Sequence, residues 1–275
     1  MSRMKSSESK AQVSLSRTVG DSLPVLVAAP FLFVPVIVLV GIAMWGQRTI
    51  KGDYLRAVQE ATVPDPSHVS HSLVSIDVNK KATVVTWTRS DQVSNYQGKT
   101  APSYRDTWVT VVPELKTFCQ AYVKSQGADR QQLSHRLEQR LGLPPQTNYD
   151  TFVELTVDPK DITRFFRPCG DPSPVTNTCQ PAPPLKPEQL KEYLSTSEPK
   201  KKQEMESRYW FLNNYYASFA SSQYPWTSLG YTFDWAPKGR GDDFVRFGES
   251  EFVIPAGAPI EFVSATDTVA YCSPW

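Results

Sequence analysis

From Leu23 to Trp45 the chain carries no charge; the nearest ionised side chains are Asp21 before it and Arg48 after it. A helix needs roughly 20 predominantly apolar residues to cross the hydrocarbon core of a bilayer. Backbone amides have no other partners there, so a spanning segment closes its own hydrogen bonds. The stretch is therefore read as one transmembrane helix. It is longer than a signal-peptide core and ends Ala43-Met44-Trp45-Gly46-Gln47, with no small-residue cleavage site, so the reading is a retained anchor rather than a removed signal. Trp45 suits the interface. Pro30 and Pro35 each remove a backbone bond and should bend the helix.

This anchor sets the domain order. Residues 1–20, rich in Ser, Lys and Arg, read as a disordered cytoplasmic tail. Residues 21–47 are the anchor, 48–66 a juxtamembrane helix and linker, and 67–275 a folded domain with a Pro- and Cys-rich loop at 167–190. Basic residues flank the span on both sides, so the positive-inside rule barely orients it. The cysteines decide. There are four, and Cys169 and Cys179 bracket a proline-rich loop as a disulfide would, which favours an oxidising compartment. Cys119 with Cys272 is a second possible pair. The absence of an Asn-x-Ser/Thr sequon favours a bacterial setting. The expected location is the bacterial inner membrane, N-terminus cytoplasmic and C-terminal domain periplasmic.

Hydrophobic patterning gives the fold class. Ile50, Tyr54, Ala57, Val58 and Ala61 share a helical face. Alternation predicts a hairpin, Val74–Val78 and Thr83–Thr88, around Asn79-Lys80-Lys81, with further strands over Thr107–Val112 and Phe152–Val157. Pro113 opens a helix carrying Leu115, Phe118, Cys119 and Tyr122. Asp129 and Gln132 have capping-box spacing ahead of a helix with Leu133, Leu137 and Leu141 buried and His135 solvated. A long helix is expected over Lys200–Ser222. Short strands follow at Tyr231–Trp235, Phe244–Phe247, Glu251–Ile254 and Ile260–Val263, with Gly248 as a separator. Helices and strands mix without βαβ regularity, so the fold class is α+β with a mainly antiparallel sheet and packed helices, preceded by one N-terminal transmembrane helix.

Net charge is +1, which gives no reason to expect nucleic acid as a partner. His68 and His71 have ligand spacing but lack the further Cys, His or carboxylate that zinc needs, so no metal and no cofactor is expected. Glu154 and Asp158 flank the end of one strand, where a general acid–base pair can sit, but Asp158-Pro159 followed by Asp161 reads as a turn and an N-cap. The aromatic run from Tyr209 to Trp235 exceeds what one core face can take. Trp210, Tyr215, Trp226 and Trp235 are the candidate binding residues, and a protein of the envelope is the expected partner.

Gly248-Glu249-Ser250-Glu251, followed by Phe-Val-Ile-Pro-Ala-Gly-Ala-Pro-Ile-Glu-Phe-Val, resembles the last motif of the arginine-type ADP-ribosyltransferases. The resemblance covers about fifteen residues. It implies that Glu251 holds the nicotinamide ribose, that Glu249 acts on the acceptor and that Arg89, ending a strand, is the upstream arginine. The Ser-Thr-Ser strand of that family is absent from this sequence. Two functions thus stand: a membrane-anchored binding or scaffold component of an envelope assembly, or an envelope enzyme using Glu249, Glu251 and Arg89.

Overall fold

A computed structural model describes residues 50–61, 65–98, 101–180, 224–237 and 247–273, with isolated positions between 188 and 199. The chain divides into Met1–Met44 and Trp45–Trp275, and everything below concerns the second unit. No helix among the described residues is long and apolar enough to cross a membrane. The span Leu23–Trp45 lies outside them, as do the N-terminal tail, the helix expected over 200–222, and Trp210 and Tyr215.

The core is a six-stranded antiparallel sheet: five strands plus a two-residue edge strand. In chain order the strands are β1 (Ala82–Thr88), β2 (Ala101–Pro102), β3 (Thr107–Val111), β4 (Thr151–Val157), β7 (Phe252–Ile254) and β8 (Pro259–Asp267), arranged β2-β8-β4-β1-β3-β7. β5 (Tyr231–Phe233) and β6 (Phe247–Ser250) form a separate two-stranded sheet. The fold is α+β, as the irregular mixture of periods implies.

The pleat assigns the two faces. Val84 and its same-face neighbours Val153 and Leu155 meet Tyr96, Phe165, Phe252 and Ile260 in a core closed largely by loops. Val85, Trp87 and Phe152 face the other way, against Leu115 and Cys119 of α2 (Glu114–Gln126) and Leu133 and Leu137 of α3 (Arg130–Arg140). The capping box at Asp129 is formed: its carboxylate accepts from Gln132 N–H, and the Gln132 side chain accepts from Asp129 N–H. A one-turn helix α4 (Thr268–Tyr271) completes this face, tied to β1 by the Trp87 indole N–H donating to the Thr268 hydroxyl at 2.8 Å.

Both cysteine pairs are disulfides. Cys119–Cys272 joins α2 to the residue after α4, with Cα atoms 5.2 Å apart, and Cys169–Cys179 closes the loop after β4 at 6.2 Å. The helix α1 (residues 50–61) buries Tyr54, Ala57, Val58 and Ala61 against Phe233 and Trp235.

Two local expectations differ from the structure. Residues 72–77 are not a strand, because both edges of β1 are taken by β3 and β4. The segment bonds the cystine loop instead: Leu73 N–H donates to Asn177 C=O and Ile76 N–H to Pro174 C=O, each at 3.0 Å. Gly248 lies inside β6 rather than between strands. A Cβ there would fall on Thr232 and on the Arg140 carbonyl, so two backbones meet where only glycine fits.

Candidate functional site

Beside α3, the β5–β6 hairpin is fastened by buried charge. Arg136 makes a two-pronged bond to Asp234 at 2.9 and 2.7 Å. Four residues on, Arg140 pairs with Glu249, donates to the Phe247 carbonyl at 2.7 Å and lies 3.6 Å from Asp234. Both guanidiniums sit over the Phe118 ring. The Glu249 side chain is 0% exposed. Burial pushes its carboxyl up, against the pull of Arg140.

A second polar cluster surrounds Ser250. The Glu114 carboxylate accepts from Ser250 N–H at 3.0 Å, from the Ser250 hydroxyl at 3.1 Å and from Thr110 at 3.2 Å. Burial first, and the nearby Glu249 charge second, push Glu114 up to about 7, while its donors pull it down. The Ser250 hydroxyl also accepts from Val74 N–H at 2.9 Å. With a carboxylate and an amide as its partners, the Ser250 hydroxyl ties α2 to the segment around Val74.

A cleft of about 390 Å³ opens beside these clusters. Register explains its floor. Val85 is opposite Thr110, Trp108 is opposite Val253, and Glu251 immediately precedes Phe252, which is opposite Val109. Val85, Trp108, Thr110 and Glu251 therefore share the helix-bearing side of the sheet, at the end beyond α2 and α3. Tyr149, Leu143 and the segment Tyr224–Trp226 form the walls. Trp108 meets Trp226 edge to face at 5.6 Å.

Glu251 is the chemical singularity of this cleft. Its amide donates to the Gly230 carbonyl at 2.9 Å, but among the described residues its carboxyl has no hydrogen-bond donor, and Oε2 is sealed from solvent. Burial pushes it up to about 8 against the opposing pull of Arg167. Arg167 is itself fully buried. Its guanidinium donates to the carbonyls of Gly230, Val74 and Thr176, lies 4.3 Å over the Phe252 ring and does not line the cleft. Gly230, at φ +76°, leaves room for the Arg167 stem where a Cβ would clash.

Of the residues singled out from sequence, Glu251 and Trp226 line the cleft. Trp235 is 1% exposed, and its indole N–H donates to the carbonyls of Glu138 and Leu143, so it is a packing residue between α1 and α3. His135 is half-buried against the Trp235 ring at 5.4 Å rather than solvated. Arg89 is exposed and ion-paired to Asp91, with neither glutamate as its partner. Asp158 and Asp161 accept from turn amides, as their spacing implies. No group of three or more metal-ligating side chains occurs among the described residues. Trp108, Tyr149, Glu114 and Arg167 escaped the sequence reading. The only available signal was a tryptophan in a β-branched strand and an arginine two residues before a stapled cysteine.

Comparison with protein-family models, curated proteins and solved structures returned no match.

Proposed function

We propose that this chain is a single-pass protein of the bacterial inner membrane, anchored by Leu23–Trp45, whose periplasmic domain is a binding component of an envelope assembly. The observation that carries the reading is the aromatic cleft over Trp108, Thr110 and Glu251, of a size that ligand pockets commonly have. Two disulfides in one domain accord with an oxidising compartment. A photo-crosslinking residue placed in cells at Tyr224, on the cleft wall, should give a discrete adduct. One at Val263, 49% exposed on β8, should not. The Tyr224 adduct should vanish in Trp108→Ala. Equal adducts from both positions, or an adduct indifferent to Trp108, would refute the cleft as the binding site; recovery of the chain in the soluble fraction would refute the anchor.

A second reading, an envelope enzyme, draws on one observation: a lone, proton-holding carboxyl at the floor of a cleft is a fit general acid. Its ADP-ribosyltransferase form needs Glu249 and Arg89 beside Glu251, whereas those two are engaged with Arg140 and Asp91. Glu251→Gln that leaves the cellular phenotype intact would remove this reading.

A further inference from the structure

We propose that the cleft is a site for an organic cation, with an ammonium or guanidinium group seated against Glu251 and its stem lying along Trp108 and Tyr149. The inference rests on the cleft being the binding site and names the chemistry it selects.

The Glu251 Oε2 atom is buried without a donor among the described residues. A buried carboxyl normally has donors around it, and the other buried acids here do: Glu249 has Arg140, Asp234 has Arg136, and Glu114 has Ser250 and Thr110. Glu251 has none among the described residues, yet it lines an open cleft. A ligand can supply what the chain withholds.

The walls decide the sign of that ligand. Aromatic faces are electronegative and attract ammonium and guanidinium groups, and an apolar stem suits the same surface. The charged groups of the neighbouring elements each have an engagement of their own. From the turn before β3 come Asp106 and Arg105, both at the rim. Arg105 lies 5.1 Å over the Tyr104 ring, and Asp106 accepts from Ala256 N–H at 2.8 Å, so each is engaged by a neighbour. From α2 comes Glu114, behind Thr110. From the loop after β4 comes Arg167, near Asp171 and held by three carbonyls outside the lining. An anion entering could take only the O–H of the protonated Glu251, with no counter-charge at that seat. A cation would meet a carboxyl that ionises to receive it.

That ionisation is a measurable signature. Glu251 holds its proton up to about pH 8, so at pH 6.5 a bound cation drives one proton into solvent. The apparent affinity should rise about tenfold per pH unit until the carboxyl is ionised beforehand. The test is calorimetry of the full-length protein in detergent micelles, with benzamidine as the charged probe and benzamide as its neutral isostere. Buffers of different ionisation enthalpy would be compared at pH 6.5, 7.5 and 9. The expected result is that benzamidine binds at least tenfold tighter than benzamide and releases close to one proton at pH 6.5 and almost none at pH 9. Glu251→Gln should abolish the release and cost at least tenfold in affinity. If that variant fails to fold, the pH series on the unaltered protein and the Trp108→Ala variant carry the test.

Two further arms separate the source of the cation. Agmatine stands for a free small molecule, and a capped arginine peptide stands for the basic side chain of a partner. Equal binding of benzamidine and benzamide, or binding without proton release at pH 6.5, would overturn the proposal. Cation binding that persists while the Tyr224 crosslink is absent would sink the partner reading and leave this one standing. A Trp108-dependent crosslink without cation selectivity would do the reverse.

Discussion

Replacing Arg140 with Met tests whether the charge cluster beside β6 is held together as its geometry implies. The guanidinium of Arg140 is the ion-pair partner of Glu249, whose side chain is 0% exposed, whereas Arg140 keeps 20% exposure, the Phe247 carbonyl and a longer contact to Asp234. Asp234 would retain Arg136. The substitution therefore strands one group, the Glu249 carboxylate, in a site that already favours its neutral form. Removing one partner of a buried pair costs about 3–5 kcal/mol. The mirror change, Glu249→Gln, leaves an arginine with other acceptors and some water, so it should cost about 1–2 kcal/mol, near the worth of one charge-assisted bond.

The pair is then distinguished by pH. A carboxyl whose folded pKa exceeds its unfolded value contributes stability that is full at low pH and is lost as pH rises toward the folded pKa. Stranding Glu249 raises its folded pKa further, so the Arg140→Met defect should be smaller at pH 5 than at pH 7, by about 1 kcal/mol or more. The Glu249→Gln defect should be nearly flat. Urea unfolding of the full-length protein, followed by tryptophan fluorescence at both pH values, reads this directly. A defect below about 1 kcal/mol for Arg140→Met at pH 7, or one that grows on acidification, would refute the assignment of the pair as buried and mutually dependent.

Three other outcomes follow from the same structure. Glu114 and Glu251, raised to about 7 and about 8, should make the unaltered domain more stable at pH 5.5 than at pH 8.5, and Glu251→Gln should flatten that slope; the lowered Asp65, Asp77 and Asp161 act only at more acid pH. In the chain-entropy account, losing Cys119–Cys272, at a sequence separation of 153, should cost about 5 kcal/mol, and losing Cys169–Cys179, at a separation of 10, about 3 kcal/mol. Urea midpoints of the two double Cys→Ala variants test this order, and a larger loss from the short loop would contradict it. Gly248→Ala should destabilise by at least about 2 kcal/mol, because backbone atoms of Thr232 and Arg140 would have to retreat from the new methyl; a loss below about 0.5 kcal/mol in the same melt would show that β6 does not press there.

The one-dimensional order of residues was enough wherever the deciding forces are local. The helical face of Ile50, Tyr54, Ala57, Val58 and Ala61, the capping box at Asp129 and the alternation of Val84 and Val85 need only short-range periodicity, and each appears in the structure where its spacing puts it. Cysteine count and placement foreshadowed the two disulfides for a similar reason: few partners were available to pair. What the sequence could not hold is which strand edge is vacant and which side chains face one another across the sheet. Residues 72–77 alternate like a strand but met an occupied edge and bonded the cystine loop. Glu249 and Glu251 are alike in sequence, yet packing gives one an arginine and sets the other in the cleft lining, because Arg140 and the cleft residue Trp108 come from elements far along the chain. Burial and pairing are properties of the assembled neighbourhood, and they decide whether a glutamate is paired inside or left to line a cleft.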